Sequence, residues 1–443
     1  MTATVDAALT GRWLPTFWTR LAAIAVVAFA VRVVYLFTLA PPIPPIGDSS
    51  FYYYAANLIA QGHGYSQPFD LLFYGHLVPT ALHPPLWPAL LSVLALFTAP
   101  ATGIGHLGGV ALDVARIFGC AVGGLVVIVV GLLGRRIGGT RVGLVAAGLA
   151  AVYPRFVVLD TVLLSDQAYA AIVCMVLLMA YRFSERPTSA RAFGVGALVG
   201  LAALTREEAL LFVPVFLIPL TWRSGSPRLR FTGLAVLGVI LVIAPWTVRN
   251  YLAFHRFVPV ANSGAVIGDA NCSLTYYGSQ IGSWQPACFH DPHPSPNEAV
   301  ESDREQSAGI NYALRHPARA ILVAGVRLLR VWSLFAPNVQ RIGNLTVLWI
   351  GTVIYYALLV AAGWALVLLR RRGRSIMILI APALVVSIAS IFGDGLDRIR
   401  YEAELPLLAL AAWGLVDLVG RSAPRRAALA QRLRRRTPEN EAV

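Results

Sequence analysis

Apolar stretches long enough to cross a bilayer recur along this chain, and that feature decides what it can fold into. They fall at roughly 21–40, 107–133, 142–157, 167–183, 192–205, 209–222, 231–248, 345–369, 375–392 and 405–420. A helix needs about 20 such residues to span about 30 Å of hydrocarbon. Lipid offers no hydrogen-bond partners, so each stretch must satisfy its own backbone and becomes a helix. The expected fold class is all-α, a polytopic membrane bundle of about 10–12 transmembrane helices. Composition agrees, with 57% hydrophobic and 13% charged residues. Soluble chains carry about a quarter charged residues, so a water-soluble enzyme and a disordered protein are excluded. Residues 21–40 are too long for a signal-peptide core and are read as a retained span.

All 36 basic residues are arginine, and the net charge is +14. They sit in short runs between apolar stretches rather than on one folded module, which argues against nucleic acid and for a topology signal. With a cytoplasmic N-terminus and alternating spans, the runs Arg135–Arg141, Arg182–Arg191, Arg223–Arg230 and Arg370–Arg374 all fall inside. Residues 41–106 contain no arginine and fall outside. The expected organisation is a cytoplasmic N-terminus 1–20 and a transmembrane module 21–249 that includes outer loop 41–106. A second outer loop, 250–344, C-terminal helices 345–420 and an arginine-rich cytoplasmic tail 421–443 complete it. No inner segment can hold a βαβ unit of about 30 residues, and G-x-x-x-x-G-K-[ST] is absent. Chemistry is therefore expected at the outer face, without a nucleotide-binding domain.

In the first outer loop a Pro-rich lead-in ends at Asp48. A helix follows from Ser49 towards Gly62, with Asp48 or Ser49 as its cap. Phe51, Tyr54, Ala55, Leu58 and Ile59 share one face. The aromatic head suits the headgroup layer, so the helix is expected to lie along the membrane surface. A second short helix is expected at about 86–98. In the second loop, residues 318–336 mix apolar positions with Arg319, Arg327 and Arg330 and read as an amphipathic interfacial helix. Cys272 and Cys288 share this loop and form a candidate disulfide, worth about 3 kcal/mol. Cys120 and Cys174 fall in spans and read as packing residues.

The run from Gly47-Asp48 through Tyr52 to Gly62, Gly64 and Tyr65, followed by T-A-x-x-P-P-x-x-P from Thr80 to Pro88, resembles the first outer loop of the GT-C glycosyltransferases. The similarity is to the branch of protein O-mannosyltransferases and the lipid A aminoarabinose transferase. Supporting pieces are Tyr153-Pro154, Leu164-Ser165-Asp166, Gly200 to Arg206, Pro245 to Tyr251, and Asp397-Arg-Ile-Arg400. The resemblance implies an inverting transfer of a sugar from a polyprenyl-phosphate carrier to an acceptor hydroxyl. It implies membrane lipids and a lipid-linked sugar donor as partners, the acceptor being a protein, lipid or glycan that the sequence does not identify.

Attack by a neutral hydroxyl needs a base, and Asp48 occupies the family's position for it; the bland alternative is a helix cap. Asp166 opens a span at the outer end, where the family carries a second acid; it too is open to a capping role, shared with Ser165. A departing prenyl phosphate builds negative charge, which arginine meets well. The candidates are Arg206, Arg249, Arg398 and Arg400, with His83 beside them. Each has a bland alternative: a salt bridge from Arg206 to Glu207 or Glu208, snorkelling of Arg249, pairing of one of Arg398 and Arg400 with Asp397 or Glu402, and a plain loop reading of His83. Tyr52 and Tyr153, inside the matching segments, are candidates to bind substrate. Asp160 reads as a loop acid. A single carboxylate at Asp48-Ser49-Ser50 is a poor divalent site, and no histidine spacing suits zinc. No cofactor is assigned and no metal ligands are proposed.

Two other classes compete with the enzyme reading. A transporter or lipid flippase would place polar residues near mid-membrane in repeated halves, whereas these acids gather at outer ends. A non-catalytic envelope scaffold would leave Asp48 and Asp166 as caps only.

Overall fold

The structure, a computed structural model, describes residues 16–98, 107–225, 227–289, 295–335 and 344–434, with side chains as far as residue 420. Among these residues the only β-pairing is a single bridge between Ser66 and Pro79.

The first helix, α1 (Phe17–Thr38), leads into a loop that carries α2 (Asp48–Ala60), α3 (Pro68–Tyr74) and α4 (Leu86–Thr98). Then come α5 (Val110–Gly138), α6 (Thr140–Val152), α7 (Pro154–Leu159), α8 (Asp166–Glu185) and α9 (Ser189–Ala203). A broken segment follows: a 3₁₀ turn at Glu207–Leu211, a π-helical turn at Val213–Leu217 and α10 (Ile218–Trp222). Pro214 and Pro219 lack the N–H a continuous helix would use there. After α11 (Arg228–Phe254) the second long loop holds α12 (Gly264–Gly268), α13 (Ser273–Tyr276), α14 (Glu298–Arg315) and α15 (Pro317–Val331). Last are α16 (Leu345–Arg371), α17 (Met377–Phe392), the turn Asp397–Arg400 and α18 (Tyr401–Arg434).

Helices therefore stand at each of the ten apolar stretches, in the expected all-α membrane bundle. Six are long and apolar enough to cross a membrane: α1, α5, α8, α11, α16 and the segment Asp397–Gly420. Four shorter apolar helices, α4, α6, α9 and α17, accompany them. Small residues set the closest crossings. A Cβ at Gly196 of α9 would overlap the Ala235 carbonyl of α11, the kind of backbone approach that membrane helices build on small residues.

Charge is buried in this bundle, and several of these charges are paired. Arg32 of α1 donates to Asp160 at 2.6 Å, both side chains fully buried. Tyr401 donates to the other oxygen of Asp160 at 2.7 Å. A side chain at Gly123 of α5 would collide with this pair. Arg155 pairs with Asp397 at 3.0 Å, and Arg400 with Glu404 at 2.5 Å. A buried ion costs several kcal/mol when left alone, so these pairs pin α1, the α7–α8 connection and the start of α18 to one another. Asp160 is thus a buried strut rather than a loop acid.

Two loop helices stand where expected, and both bury polar or aromatic side chains against the protein. In α2, every residue from Ser49 to Leu58 is buried. Four consecutive aromatics, Phe51 to Tyr54, point all round the helix, and a helix apolar on every side is buried by protein. In α15 the three arginines turn inward. Arg319 donates to Tyr276 O at 2.8 Å, Arg327 to Ile391 O at 3.1 Å, and Arg330 to Ile281 O at 3.1 Å. The last-turn carbonyls of α13 and α17, which have no intrahelical donor, and the loop carbonyl of Ile281 draw the guanidinium groups in, and Ile321 and Leu322 are left exposed.

Candidate active site

Glycine at position 47 adopts a φ of 143°, a region other residues avoid, and this turns the extended Pro-rich segment into α2. Asp48 is the first helical residue, and its side chain does not cap the helix. Its carboxylate points to the turn before α18, where Arg398 Nη2 donates to Asp48 Oδ2 at 2.5 Å. On the other side His83 Nε2 lies 3.9 Å from Asp48 Oδ1. The imidazole is fixed between Phe51 and Tyr52, at ring-centroid distances of 4.7 and 5.0 Å.

Asp166 repeats the pattern one helix away. It begins α8 without any side-chain cap at Ser165, and Oδ1 accepts from Arg206 Nη1 at 2.9 Å. Arg206 Nε also donates to Glu208 at 2.5 Å. Tyr52, one turn after Asp48, lies 3.3 Å from Ser165 Oγ, which bridges the two pairs. All four charges feel one another, since Arg206 acts on Asp48 and Asp166 on Arg398. The two acids differ in access: the Asp48 side chain is 32% exposed, that of Asp166 only 3%.

Electrostatics follows from this arrangement. Burial pushes the Asp48 carboxyl up, but Arg398, with its hydrogen bond, and His83 together outweigh it and hold the group well below the usual carboxylate range. Asp48 is an anion at any physiological pH. Burial lowers His83 below the ordinary imidazole value, against the pull of Asp48, so the ring is mainly neutral near pH 7. Burial, then the Asp48 charge, raises the Tyr52 phenol and keeps it a hydrogen-bond donor.

Other expected site residues lie elsewhere. Arg249 donates to Thr80 O at 2.7 Å and to Tyr65 O at 2.6 Å, with its guanidinium 4.8 Å from the Trp246 ring; it fastens α11 to the first loop. Arg400 is fully buried. Besides Glu404 it donates to Val331 O at 2.7 Å and Ser333 Oγ at 2.6 Å, which ties Nε and Nη1 into the bundle, while its buried Nη2 has no hydrogen-bond partner. Tyr153 is buried beside Arg155, Arg400 and Glu404 instead of facing Asp48. Cys272 and Cys288 are joined, with S–S 2.08 Å, while Cys120 and Cys174 are free and buried.

One group went unread in the sequence. Asp394 accepts from Leu396 N at 2.8 Å and lies within electrostatic range of both Arg398 and Arg206. Its only signal was its place in a Gly-Asp-Gly turn beside the two arginines. Among the described residues no cluster of three or more His, Cys, Asp or Glu could hold a metal.

The family of dolichyl-phosphate-mannose-protein mannosyltransferases matches residues 83–248. That segment contains His83, Asp166 and Arg206; Asp48 and Arg398 lie outside it. Among solved structures, the oligosaccharyltransferase of Archaeoglobus fulgidus in its apo form overlays 96% of this chain at TM-score 0.55 and 14% identity. The same enzyme, AglB, in complex with an inhibitory peptide and a dolichol-phosphate gives TM-score 0.56. The chain has the GT-C fold. It spans 52% of the length of those archaeal chains. ArnT from Cupriavidus metallidurans bound to undecaprenyl phosphate overlays 94% of this chain and 81% of its own at 17% identity and TM-score 0.43. No curated protein sequence matches the chain. On the GT-C fold, the Asp48 cluster is built by the first loop, the start of α8 and the turn before the last helix.

Proposed function

We propose that this GT-C chain is an inverting glycosyltransferase that moves a sugar from a polyprenyl-phosphate carrier to an acceptor hydroxyl at the outer face of the membrane. The observation that carries the reading is the partly exposed Asp48 carboxylate held 2.5 Å from Arg398. In the reaction, the acceptor oxygen bonds to the anomeric carbon as its proton passes to Asp48. The bond from that carbon to the carrier phosphate breaks, and the phosphate leaves with both electrons. Arg398 answers the charge that builds on the phosphate, and its buried Nε–H has no other partner. Arg206 and the neutral His83 lie beside it, and Asp166 fixes Arg206.

The outer location rests on arginine placement. The runs at the ends of α5, α8 and α16, Arg135–Arg136, Arg182 and Arg370–Arg371, stand at the ends away from Asp48, as the positive-inside rule requires of cytoplasmic ends. Both termini are then cytoplasmic. The two acid–arginine pairs, Asp48–Arg398 and Asp166–Arg206, stand together at the outer end of the bundle rather than near mid-membrane, which favours this reading over a transporter.

The test is transfer by full-length protein in vesicles supplied with labelled polyprenyl-phosphate sugars and candidate acceptors. Wild type is expected to transfer one of them, and Asp48→Asn to insert normally and transfer none. An active Asp48→Asn protein sinks the proposal.

A further inference from the structure

A second charged site lies at the far end of the bundle. A cavity of about 410 Å³ opens where α5, α8, α10, α16 and α17 end or begin. Its rim is polar and exposed, with Arg136, Arg223, Arg374, Ser184 and Ser375. Its floor is apolar and buried, formed by Leu220, Leu369, Ile378 and Leu379.

The guanidinium groups are only partly used. Arg136 is paired with Glu185 and rests 5.1 Å from the Tyr181 ring. Arg374 donates to Ile137 O at 3.2 Å. Arg223 contacts the Met377 sulfur at 2.7 Å, a weak acceptor. Among the described residues Glu185 is the one acid paired with these three arginines, which leaves the rim net positive. Helix α17, which begins at its edge, has no side-chain cap, so its dipole adds positive potential there.

Depth indicates what such a site is for. From Asp166 to Ser184, α8 rises by about 27 Å at 1.5 Å per residue, close to the thickness of a bilayer core. The cavity thus sits at headgroup level in the leaflet opposite the Asp48 cluster. Arginines serving only as topology signals need no cavity; these border one whose apolar floor suits the glycerol and first methylenes of a lipid. We propose that this cavity binds the phosphate of an anionic membrane lipid, either a phospholipid headgroup or a polyprenyl phosphate. The inference is independent of the reaction assigned to Asp48.

Native mass spectrometry of the full-length protein tests it, with phosphatidylglycerol, phosphatidylcholine, undecaprenyl phosphate and inorganic phosphate as separate probes. Wild type is expected to retain phosphatidylglycerol or undecaprenyl phosphate, and the better-held of the two identifies the source. The double variant Arg223→Gln/Arg374→Gln should bind that lipid at least roughly tenfold more weakly, as for one charge-assisted hydrogen bond lost. Arg228→Gln/Arg230→Gln, which alters the same end outside the cavity, should bind normally. Ser184→Trp, which blocks the cavity while keeping its charges, should lose the lipid too and covers the case in which the double variant fails to fold. Equal retention by wild type and either cavity variant overturns the proposal. So does phosphatidylcholine held as tightly as phosphatidylglycerol, or inorganic phosphate displacing the lipid at equal concentration.

Discussion

Arg398 and Asp48 meet at 2.5 Å across 350 residues of sequence, joining the first loop to the turn before the last helix. The pair is held from behind. Asp397, next to Arg398, is bound by Arg155 at 3.0 Å, so the turn has little freedom to swing away. A guanidinium fixed beside a carboxylate gives both charges settled positions, and in the proposed reaction this would be the preorganisation that electrostatic catalysis depends on.

That relationship sets a pH dependence. Asp48 is an acid whose folded value is depressed, so its pairing stabilises the fold above the ordinary carboxyl value of 3.8 and is lost only as pH falls through the depressed value. Wild-type transfer is expected to show no loss from Asp48 protonation between pH 7 and about 4.5. In Arg398→Gln, burial acts with less opposition, and the acid limb of the transfer rate should move up by roughly 1–3 pH units. Profiles of the two proteins that superimpose after scaling would show that Arg398 does not set the state of Asp48.

Arg400 should behave otherwise, though it is only two residues away. Its partners are Glu404, Val331 O and Ser333 Oγ, all buried. Arg400→Gln is expected to cost about 3 kcal/mol, because it leaves the buried Glu404 charge with only the longer Arg155 contact at 3.7 Å, with the donor KM of the folded protein unchanged. Thermal unfolding in detergent and donor kinetics separate the outcomes. An unchanged Tm with a raised donor KM would return Arg400 to the phosphate.

These two arginines mark where the sequence was legible and where it was not. The helices were readable because lipid imposes apolar length on each, and Asp48 and Asp166 because they open helices in recognisable segments. Arg398 and Arg400 look alike in Asp397-Arg-Ile-Arg400, and Arg206 and Arg249 both sit at span ends. What separates them is the acceptor. Arg249 and Arg400 bond to carbonyls of Thr80, Tyr65 and Val331, groups that every residue carries and no pattern reveals. Arg32 gave a usable signal that went unread: an ionisable residue inside a span demands a partner, and Asp160 supplies it.

Arg206 and Asp166 form the more buried of the two pairs at the site, and Arg206 also faces Glu208. Arg206→Gln leaves both acids without their nearest cation and should destabilise the protein by about 3 kcal/mol. Adding Asp166→Asn to that variant removes one stranded charge, so part of the loss should be regained. A double-mutant cycle measures this as a coupling of roughly 1–3 kcal/mol. Strict additivity would mean that the two side chains do not act as a unit.

Glu298 joins the two long loops. It accepts from Thr80 Oγ1 at 2.6 Å, from Ala81 N at 2.8 Å and from Asn262 Nδ2, and Asn262 N returns a bond to Ala81 O at 2.8 Å. Burial raises its carboxyl above the ordinary value of 4.5, although the Thr80, Ala81 and Asn262 hydrogen bonds pull the other way. An acid with a raised folded value binds more protons folded than unfolded, so its contribution is full below pH 4.5 and declines as pH rises through the folded value. The junction should therefore be firmer at pH 5 than at pH 7. Hydrogen exchange at the Ala81 amide, corrected for intrinsic rate, should show more protection at the lower pH. Glu298→Gln, permanently neutral, should abolish the difference, and Glu298→Ala should cost about 2 kcal/mol with faster exchange at both pH values. The same pH slope in wild type and Glu298→Gln would place the titrating group elsewhere.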